Sequence, residues 1–366
     1  MLELADILRL HAPAYGASHP LGPSQHKAIQ DILRCRTAAL GGQLYACDQC
    51  AAAHYSYHSC GNRHCPKCHA QQTQRWLERQ PQRLLPCGYY FLTFTLPSEL
   101  RPLALTQQNA LYGLLLSAAA AAVQKLAGDP KWVGGQLALL AVLHTWRRDL
   151  GYHPHVHLLA SAGGLSRDGR HWVHPKNPAF LVPGYVLSRL FRGKFRSGLQ
   201  QRGLLGQTPA GVWTKDWNVQ IQHAGKGEKV LDYLGRYAFR IAISNRRIEK
   251  LEQGQVTFRY RDNQTQQLKH PTLSAQEFIR RFLLHVLPRG FVKVRTYGLW
   301  SCHGAEKRQK ARALLTPERE VQAPLAESLT HCAPGTIEAT PRLCPQCKKG
   351  HLIFVARLSP QWPRAP

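Results

Sequence analysis

The stretch Tyr152-His153-Pro154-His155-Val156-His157-Leu158-Leu159-Ala160 is predicted to form a short β-strand. Alternate side chains of a strand share a face, so His155 and His157 point one way while Val156 and Leu158 point the other. Two imidazoles on one face, two residues apart, can hold one divalent metal ion. The apolar side chains behind them are expected to bury into a core and to hold the strand in place.

A second, buried strand is predicted directly upstream, over residues 136–146, with residues 147–152 as the connecting loop. If the two strands pair antiparallel, His144 lies opposite His155 on the same face. His144, His155 and His157 then form a three-histidine site with open metal positions, and His153 is the reserve ligand. The alternative is that these are ordinary polar residues on a solvated sheet face. Convergence of three histidines favours the metal site.

The composition indicates a polyanionic partner. The chain has 366 residues, enough for two or three domains, and its 48 Lys and Arg against 21 Asp and Glu give a formal net charge of +27. Charge of one sign costs self-repulsion, so an excess of this size is typical of proteins that bind DNA or RNA.

The sequence shows neither a secretory signal nor a membrane span. Residues 1–10 carry two acids and no basic region, and the longest apolar run, 111–123, is broken by Gly113 and Ser117 and is too short to cross a bilayer. Eleven cysteines, some in CxxC pairs, then indicate zinc rather than disulfides. We expect a cytoplasmic, nucleoid-associated protein with no membrane partner.

The N-terminal cysteines predict a structural zinc site. Two CxxC pairs each offer two thiolates from one tight turn, and four thiolates make a closed tetrahedral site. The expected ligands are Cys47, Cys50, Cys65 and Cys68. Cys60 and His64 are surplus, and they either belong to a second site or replace a member of the first.

A second zinc knuckle is predicted near the C-terminus, from Cys332, Cys344 and Cys347. Only one CxxC is present there, so the fourth ligand is left open among four candidates. These candidates are His331, His351, Cys302 and His303.

Residues 226–241 are predicted to form a helix with two faces. Its apolar stripe contains Val230, Leu234, Ala238 and Ile241. The opposite side carries two tyrosines one turn apart, among cations that lower the cost of a phenolate and attract phosphate. These residues are Tyr233, Tyr237, Lys229, Arg236 and Arg240. The alternative is two half-buried tyrosines that cover a helix face.

The remaining elements follow from apolar periodicity and turn residues. Helices are predicted over residues 25–36, 103–127, 186–202 and 275–287, with Ser24 and Ser274 as N-caps. Strands are predicted over residues 88–97, 217–222, 256–261 and 291–295. From about residue 302 onward the pattern becomes irregular.

Four motifs, in this order, resemble a known family. They are Ser59-Cys60-Gly61-Asn62-Arg63-His64-Cys65-Pro66-Lys67-Cys68, Leu143-His144-Thr145-Trp146, His153-Pro154-His155-Val156-His157 and Tyr233-Leu234-Gly235-Arg236-Tyr237. The chain resembles the rolling-circle transposases of bacterial insertion sequences, in the HUH endonuclease superfamily with paired tyrosines. The likeness runs from about residue 25 to residue 300.

The resemblance implies an α+β fold with a five-stranded antiparallel HUH nuclease sheet. The histidine pair then lies on a central strand and the tyrosines on a helix above it. We expect a helical segment over 1–36, a zinc-binding domain over 37–86 and the nuclease domain over 87–300. Residues 301–366 are expected to form a loosely ordered tail with the second zinc knuckle.

The implied chemistry is metal-dependent strand cleavage. Mg²⁺ or Mn²⁺ at the histidines polarises the scissile phosphate, and Tyr233 or Tyr237 attacks phosphorus and stays joined to the 5′ end. The released 3′-OH can prime replication. Two tyrosines permit two successive cleavages, one on the donor and one on the target.

The implied substrate is single-stranded DNA from transposon ends and target. We expect contacts to it from Lys229, Arg236, Arg240, Arg246 and Arg247. A nucleotide-binding loop of the G-x-x-x-x-G-K-[ST] type is absent from the sequence, so a host helicase and the replication machinery are expected partners.

Two other functions remain open at this point. One is a plasmid replication initiator or relaxase that uses the same chemistry. The other is a zinc-containing DNA-binding regulator without catalysis, in which the histidine strand is inert.

Overall fold

The computed structural model describes residues 2–78, 83–177, 180–226, 229–230, 241–262, 264–316 and 342–361, apart from the side chains of residues 69–72. Its helices are α1 (Leu4–Ser18), α2 (Pro23–Arg34), α3 (Pro66–Leu77), α4 (Arg101–Thr106), α5 (Gln108–Ala127), α6 (Gly184–Gln200), α7 (Ala275–Leu283) and α8 (Ala305–Leu315). Its strands are β1 (Gly42–Cys47), β2 (Ala53–Tyr57), β3 (Tyr89–Thr95), β4 (Gly135–Gln136), β5 (Ala138–Trp146), β6 (Tyr152–Ser161), β7 (Gly164–Ser166), β8 (Trp172–Val173), β9 (Val219–Gly225), β10 (Ile248–Glu252), β11 (Gln255–Phe258), β12 (Tyr260–Arg261), β13 (Leu268–Lys269), β14 (Thr272–Ser274), β15 (Val294–Gly298) and β16 (Leu352–Leu358).

A five-stranded antiparallel sheet forms the centre of the fold, with the strand order β15-β5-β6-β3-β9. β5 is apolar along almost its whole length and is buried, as befits an inner strand covered on both faces. β6 is the middle strand, and in it the alternation of polar and apolar residues follows the alternation of the two sheet faces. The predicted α+β class with an antiparallel sheet and helices on it is confirmed.

One face of this sheet is covered by helices. Phe94 and Val156 point to this face, and they are buried in the same apolar cluster as residues of α5 and α6. α5 is long and apolar enough to cross a membrane by length and composition, yet 67% of its most apolar window is buried inside the fold. The apolar run was predicted to be too short for a membrane span. The helix has 20 residues, so burial is what identifies it as a core helix.

A second apolar cluster joins the N-terminal helices to the region after the sheet. It contains buried residues of α1, α2, α7 and β11, and it also takes in Leu150 from the loop between β5 and β6. Leu150 is fully buried and adopts a left-handed backbone with φ of 64°. This cluster therefore holds the loop that leads into the histidine strand.

A small three-stranded sheet brings the two ends of the chain together. Its strand order is β16-β1-β2, and β1 pairs antiparallel with both neighbours. The described part of the C-terminal segment, 342–361, is thus ordered by pairing with residues near the N-terminus. Its cysteines, Cys344 and Cys347, lie beside Cys47 and Cys50 of the N-terminal part and not in a knuckle of their own.

Several predicted element boundaries were wrong for local reasons. Gly22, and not Ser24, is the N-cap of α2, because Pro23 takes the first helical position with its fixed φ. The predicted helix over 103–127 divides into α4 and α5 at Gln107, which has the non-helical values φ −117° and ψ 46°. Strand β15 begins later than predicted, because the Phe291 N–H closes a turn onto the Pro288 carbonyl at 3.2 Å. The Ser274 cap is confirmed, since its hydroxyl accepts from the Glu277 N–H at 3.2 Å.

The helix α8 was missed altogether. Its sequence AEKRQKARALL is rich in helix-forming residues, but Ala311 is its only buried residue. A helix without an apolar stripe gives no periodic signal, so the prediction of irregular structure from residue 302 was wrong there.

Candidate active site and cysteine clusters

The three predicted histidines lie together on the face of the sheet opposite α5 and α6. β5 and β6 pair antiparallel with His144 directly opposite His155, which is the register that the sequence predicted. His157 lies opposite Val142 on one side and Thr93 on the other. His144 is 2% exposed, so it is held rigidly at the back of the group.

The geometry of this histidine cluster suits a shared cation. One side-chain nitrogen from each of the three residues lies within 4.8 Å of the others, and the Nε2 atoms of His155 and His157 are 3.0 Å apart. Two nitrogen ligands about 2.1 Å from an octahedral ion and at right angles to each other are about 3.0 Å apart. The observed separation matches that spacing.

Hydrogen bonds and ring stacking set the orientation of the three imidazoles. The Nδ1–H of His155 donates to the His153 carbonyl at 2.7 Å, which leaves the lone pair of this imidazole on Nε2, toward the cluster. The Thr93 hydroxyl lies 3.3 Å from Nδ1 of His157. His144 stacks on Trp146 with ring centroids 4.7 Å apart, and Phe91 stacks on His157 at 5.0 Å.

His153, the reserve ligand, is not part of the cluster. Its Nδ1 accepts a hydrogen bond of 2.9 Å from the Arg101 guanidinium, so this nitrogen is committed elsewhere. Burial, followed by the nearby His155 and Arg101, lowers the pKa of His153 to about 4. The structure therefore groups His144, and not His153, with the other two histidines.

The histidine cluster forms the floor of an open cleft of about 410 Å³. Its walls are aromatic, hydroxyl, amide and basic side chains, and none of the described lining residues is acidic. The lining comprises Phe91, Thr93, Thr95, His144, Trp146, Arg147, Arg148, His153, His155, His157, Asn218, Gln220, Gln222 and Arg247. A cleft with this composition can take a polyanion without charge repulsion.

A row of uncharged side chains flanks the cluster on the edge strand. Gln220 lies opposite Thr93, and Gln222 lies opposite Phe91, across β3 and β9. Asn218 precedes β9 on the same face, and all three are exposed. Carboxamides donate and accept hydrogen bonds at once, which is what base edges require. This row was not predicted, although polar residues alternate with Val219 and Ile221 in the sequence.

The predicted tyrosine nucleophiles, Tyr233 and Tyr237, lie outside the described residues, as do Arg236 and Arg240. Lys229 and Val230 of the same predicted helix are described. Val230 is fully buried in a cluster with Leu140 and Leu159, which share the sheet face of the histidines by strand alternation. Lys229 is exposed. The chain thus enters the tyrosine segment on the histidine-bearing face.

The two remaining predicted DNA contacts differ in their surroundings. Arg246 is exposed. Arg247 lines the cleft, where its guanidinium donates to the carbonyls of Arg259 at 2.9 Å and Ala242 at 3.0 Å, and also to that of Arg148. Arg247 therefore ties the β5–β6 loop to the neighbouring backbone in addition to adding charge to the cleft.

The cysteines form two clusters, and the four cysteines of the predicted N-terminal site are divided between them. The first contains Cys35, Cys60, Cys65 and Cys68. Its sulfur atoms lie 3.5 Å apart for Cys35 and Cys68 and 3.6 Å apart for Cys60 and Cys68. Cys65 and Cys68 were predicted to share a site with Cys47 and Cys50, and this grouping was wrong. Cys60 is a member of the cluster, and Cys35, at the C-terminal end of α2, was missed.

His64 does not join the first cluster. Its Nε2 accepts a hydrogen bond of 3.2 Å from the Leu287 backbone N–H. Burial of the ring, with smaller contributions from Lys293 and Arg63, lowers the pKa of His64 to about 3. A neutral imidazole that accepts from the backbone links the zinc-binding module to the segment after α7.

The second cluster contains Cys47, Cys50, Cys344 and Cys347. The predicted C-terminal knuckle is therefore half of a site whose other half lies near the N-terminus. Cys332 and His331 lie outside the described residues. His351 contacts Asp48 instead of a cysteine, and Cys302 and His303 are in neither of the two clusters found among the described residues.

Two family models match the chain. A model described as a putative transposase matches residues 138–309, which include the histidine cluster. A model described as a transposase zinc-binding domain matches residues 7–96. The first cysteine cluster lies wholly inside that range, so its four thiolates fit a structural zinc ion.

Two curated relatives are similar over most of their length. A putative transposase, y4qJ, of Sinorhizobium fredii is 38% identical over 384 aligned residues, which cover 96% of this chain and 94% of the relative. The transposase for insertion sequence element IS801 of Pseudomonas savastanoi pv. phaseolicola is 29% identical over 74% of this chain and 69% of the relative. No solved structure matches the chain.

Proposed function

The chain belongs to the insertion-sequence transposases of the IS91 and IS801 type, and from this membership we propose that it moves DNA by cleaving and rejoining single strands through a covalent 5′-phosphotyrosine. The observation that carries the proposal is the cluster of His144, His155 and His157 at the floor of a basic, acid-free cleft. A regulator without catalysis has no need for three converging imidazoles.

The donor set of the cluster fits a catalytic divalent ion. Three imidazoles leave coordination positions open, and the two facing nitrogens of His155 and His157 are at a distance that one ion accounts for. Mg²⁺ prefers oxygen ligands, so three nitrogens fit a first-row transition ion such as Mn²⁺ better. When bound, the ion polarises the scissile phosphate as a Lewis acid.

The covalent step is a transesterification. The phenol oxygen of Tyr233 or Tyr237 attacks phosphorus, forming a P–O bond to tyrosine, and the bond from phosphorus to the 3′ oxygen breaks. The phenol proton is lost, and the leaving 3′ oxygen takes up a proton to become a 3′-OH. The phosphodiester count is unchanged, so a later 3′-OH can reverse the step and join strands. The burial of Val230 on the histidine-bearing sheet face supports placing this segment near the cluster.

The cleft suits an extended single strand. Arg147 and Arg148, in the loop between β5 and β6, line the cleft, where they can neutralise phosphates. Gln220 and Gln222 lie on the edge strand β9, where their carboxamides can pair with the edges of unstacked bases. In a duplex the Watson–Crick edges are already paired with the other strand, whereas a single strand leaves them free for these carboxamides, so we propose single-stranded transposon ends and target as substrates. Since the sequence has no nucleotide-binding loop of its own, a host helicase supplies the unwinding.

The proposal is tested with single-stranded oligonucleotides that carry the ends of the element. Incubation with Mn²⁺ should give a free 3′-OH fragment and a protein band shifted by covalently attached DNA that survives denaturation. A scrambled strand and the duplex form of the same sequence serve as controls. Binding without cleavage under every metal tested would favour the regulator. Cleavage that leaves no covalent adduct would contradict the tyrosine mechanism.

A further inference from the structure

We propose that the second cysteine cluster binds its own zinc ion, and that this ion fastens the C-terminal segment 342–361 to the N-terminal zinc-binding domain. The ligands are Cys47 and Cys50 from one end of the chain and Cys344 and Cys347 from the other. The zinc-binding family model ends at residue 96, so two of the four ligands lie outside it. The inference does not depend on the DNA chemistry proposed above.

The sulfur positions fit one tetrahedral ion. Four sulfurs about 2.3 Å from a tetrahedral zinc lie about 3.8 Å from each other. Cys47 and Cys347 are 3.7 Å apart at sulfur, and Cys50 and Cys344 are 3.8 Å apart. All four sulfurs lie within 4.8 Å of one another. A disulfide would instead bring two of them to about 2.0 Å and leave the other two outside the bond. The arrangement is that of a metal cage.

The two halves of the site are built alike. In each CxxC, the N–H of the residue after the second cysteine donates to the carbonyl of the first cysteine. Ala51 N–H donates to the Cys47 carbonyl at 3.0 Å, and Lys348 N–H donates to the Cys344 carbonyl at 2.9 Å. Ala51 and Lys348 both have a left-handed backbone, with φ of 55° and 57°. Two turns of the same shape, about 300 residues apart in the sequence, each present two thiolates to one point.

Backbone N–H groups also point at the sulfurs. The Gln49 and Cys50 N–H groups each lie 3.5 Å from the Cys47 sulfur, and the Gly350 N–H lies 3.4 Å from the Cys347 sulfur. Such donors stabilise thiolate charge without competing for the metal. Zinc-bound cysteines are thiolates, so these contacts favour the metal-bound form.

The two halves fit together closely. A Cβ on Gly350 would lie 2.6 Å from the Cys47 sulfur and 2.4 Å from the Asp48 carboxylate, so another residue there would have to displace these two side chains of the other half. Asp48 accepts from the His351 N–H at 2.8 Å, and its own N–H donates to the His351 carbonyl at 3.1 Å. The contact between the ends is therefore specific and not a chance approach.

The consequence is that the C-terminal segment completes the small sheet. β16 pairs with β1 over its whole length, and the aromatic rings of Tyr45 and Phe354 meet edge to face at 6.0 Å. Ile353, Phe354 and Val355 nevertheless remain at least half exposed, so apolar burial alone holds this strand weakly. Zinc binding supplies the stabilisation that the strand lacks.

The first test counts zinc in the purified full-length chain. With the histidine cluster removed by His155→Ala and His157→Ala, we expect two tightly held zinc ions per chain, and adding the double substitution Cys344→Ser with Cys347→Ser should reduce the count to one. Cys302→Ser is the matched control, since Cys302 is exposed and belongs to neither cluster, and it should keep both ions. Two ions after the cysteine substitutions, or one in the chain with its cysteines intact, would overturn the proposal.

The second test needs no change to the cysteines, so a failure of the variant to fold cannot mimic the result. A protease site is inserted between residues 317 and 341, and the purified chain is cleaved there. The C-terminal fragment should stay bound to the rest of the chain in a buffer that contains zinc. It should dissociate when a strong chelator removes the zinc. A fragment that dissociates in zinc, or that stays bound after zinc removal, would contradict the zinc-dependent attachment.

Discussion

His144 lies directly across the β5–β6 pair from His155, and their rings meet edge to face with centroids 5.5 Å apart. This one pairing brings a histidine from a buried strand to the pair on the middle strand. It therefore sets the position of the whole cluster and, with it, where cleavage is expected.

Changing His155 or His157 to Ala should abolish cleavage, with a loss of at least about 100-fold, because each removes one of the three proposed metal ligands. Binding of the single strand should stay within a few-fold of wild type, since the basic residues of the cleft remain. His153→Ala is the matched control on the same strand face, and it should cleave at close to the normal rate. Loss of cleavage in the control alone would move the site to His153.

Thr93→Val should weaken metal binding by roughly 10-fold, because Val keeps the shape but removes the hydroxyl 3.3 Å from Nδ1 of His157. The measurement is the Mn²⁺ concentration that gives half-maximal cleavage. Thr95→Val, two residues away on the same face of β3, should leave it unchanged. Equal effects of the two substitutions would show that Thr93 does not orient His157.

Gln220→Ala should relax the preference for bases next to the cleaved phosphate while metal affinity is retained. A carboxamide hydrogen-bonded to a base gives about 1–3 kcal/mol of discrimination between bases. The variant should therefore lose a preference of roughly 10-fold between bases at that position. Competition among oligonucleotides substituted at each flanking base measures it. Gln207→Ala, a change of the same type outside the cleft, should leave the preference intact. An unaltered preference in the Gln220 variant would show that the amide row does not contact bases.

The stability of the fold should fall as the pH drops from about 6.5 to about 4. Burial lowers the pKa of His285 to about 4, and the Leu150 carbonyl, which accepts from its Nε2–H at 3.0 Å, opposes this only in part. Between the folded pKa and the unfolded value of about 6.5, the unfolded chain binds a proton that the folded chain does not. The free energy of unfolding therefore decreases with falling pH, by up to about 1.4 kcal/mol per pH unit for this histidine.

Urea unfolding at pH 7.5 and pH 5.0 measures the effect in the wild type and in His285→Gln. Gln cannot titrate, so the variant should lose less stability over this interval than the wild type. Zinc content is determined at both pH values, so that metal loss is separated from the histidine effect. The same pH dependence in both proteins would rule out His285 as its source.

The histidine cluster could be predicted from the sequence because everything that places it is local. His144 and His155 lie on adjacent strands joined by a short loop, and strand alternation with an antiparallel register leaves one arrangement. The core faces of β5 and β6 followed from the same alternation. These features needed no knowledge of distant parts of the chain.

The cysteine clusters could not be divided correctly for the opposite reason. A CxxC motif indicates that two thiolates lie together, but it does not indicate which other pair of cysteines shares their site. Cys35 joins Cys68 from the end of a helix 33 residues earlier, and Cys347 meets Cys47 across 300 residues. Only the packing of α2 against the zinc module, and of β16 against β1, decides these partners.

In the proposed reaction, a tyrosine of the 233–237 segment becomes covalently joined to the 5′ end of the cleaved strand. The most direct measurement digests the adduct formed on a single-stranded element end and identifies the modified peptide by mass spectrometry. We predict modification at Tyr233 or Tyr237, loss of one transfer in either single Tyr→Phe variant, and no adduct in the double variant. An adduct on any other tyrosine, such as Tyr185 or Tyr260, or one that persists in the double variant, would contradict the assignment of Tyr233 and Tyr237 as the nucleophiles.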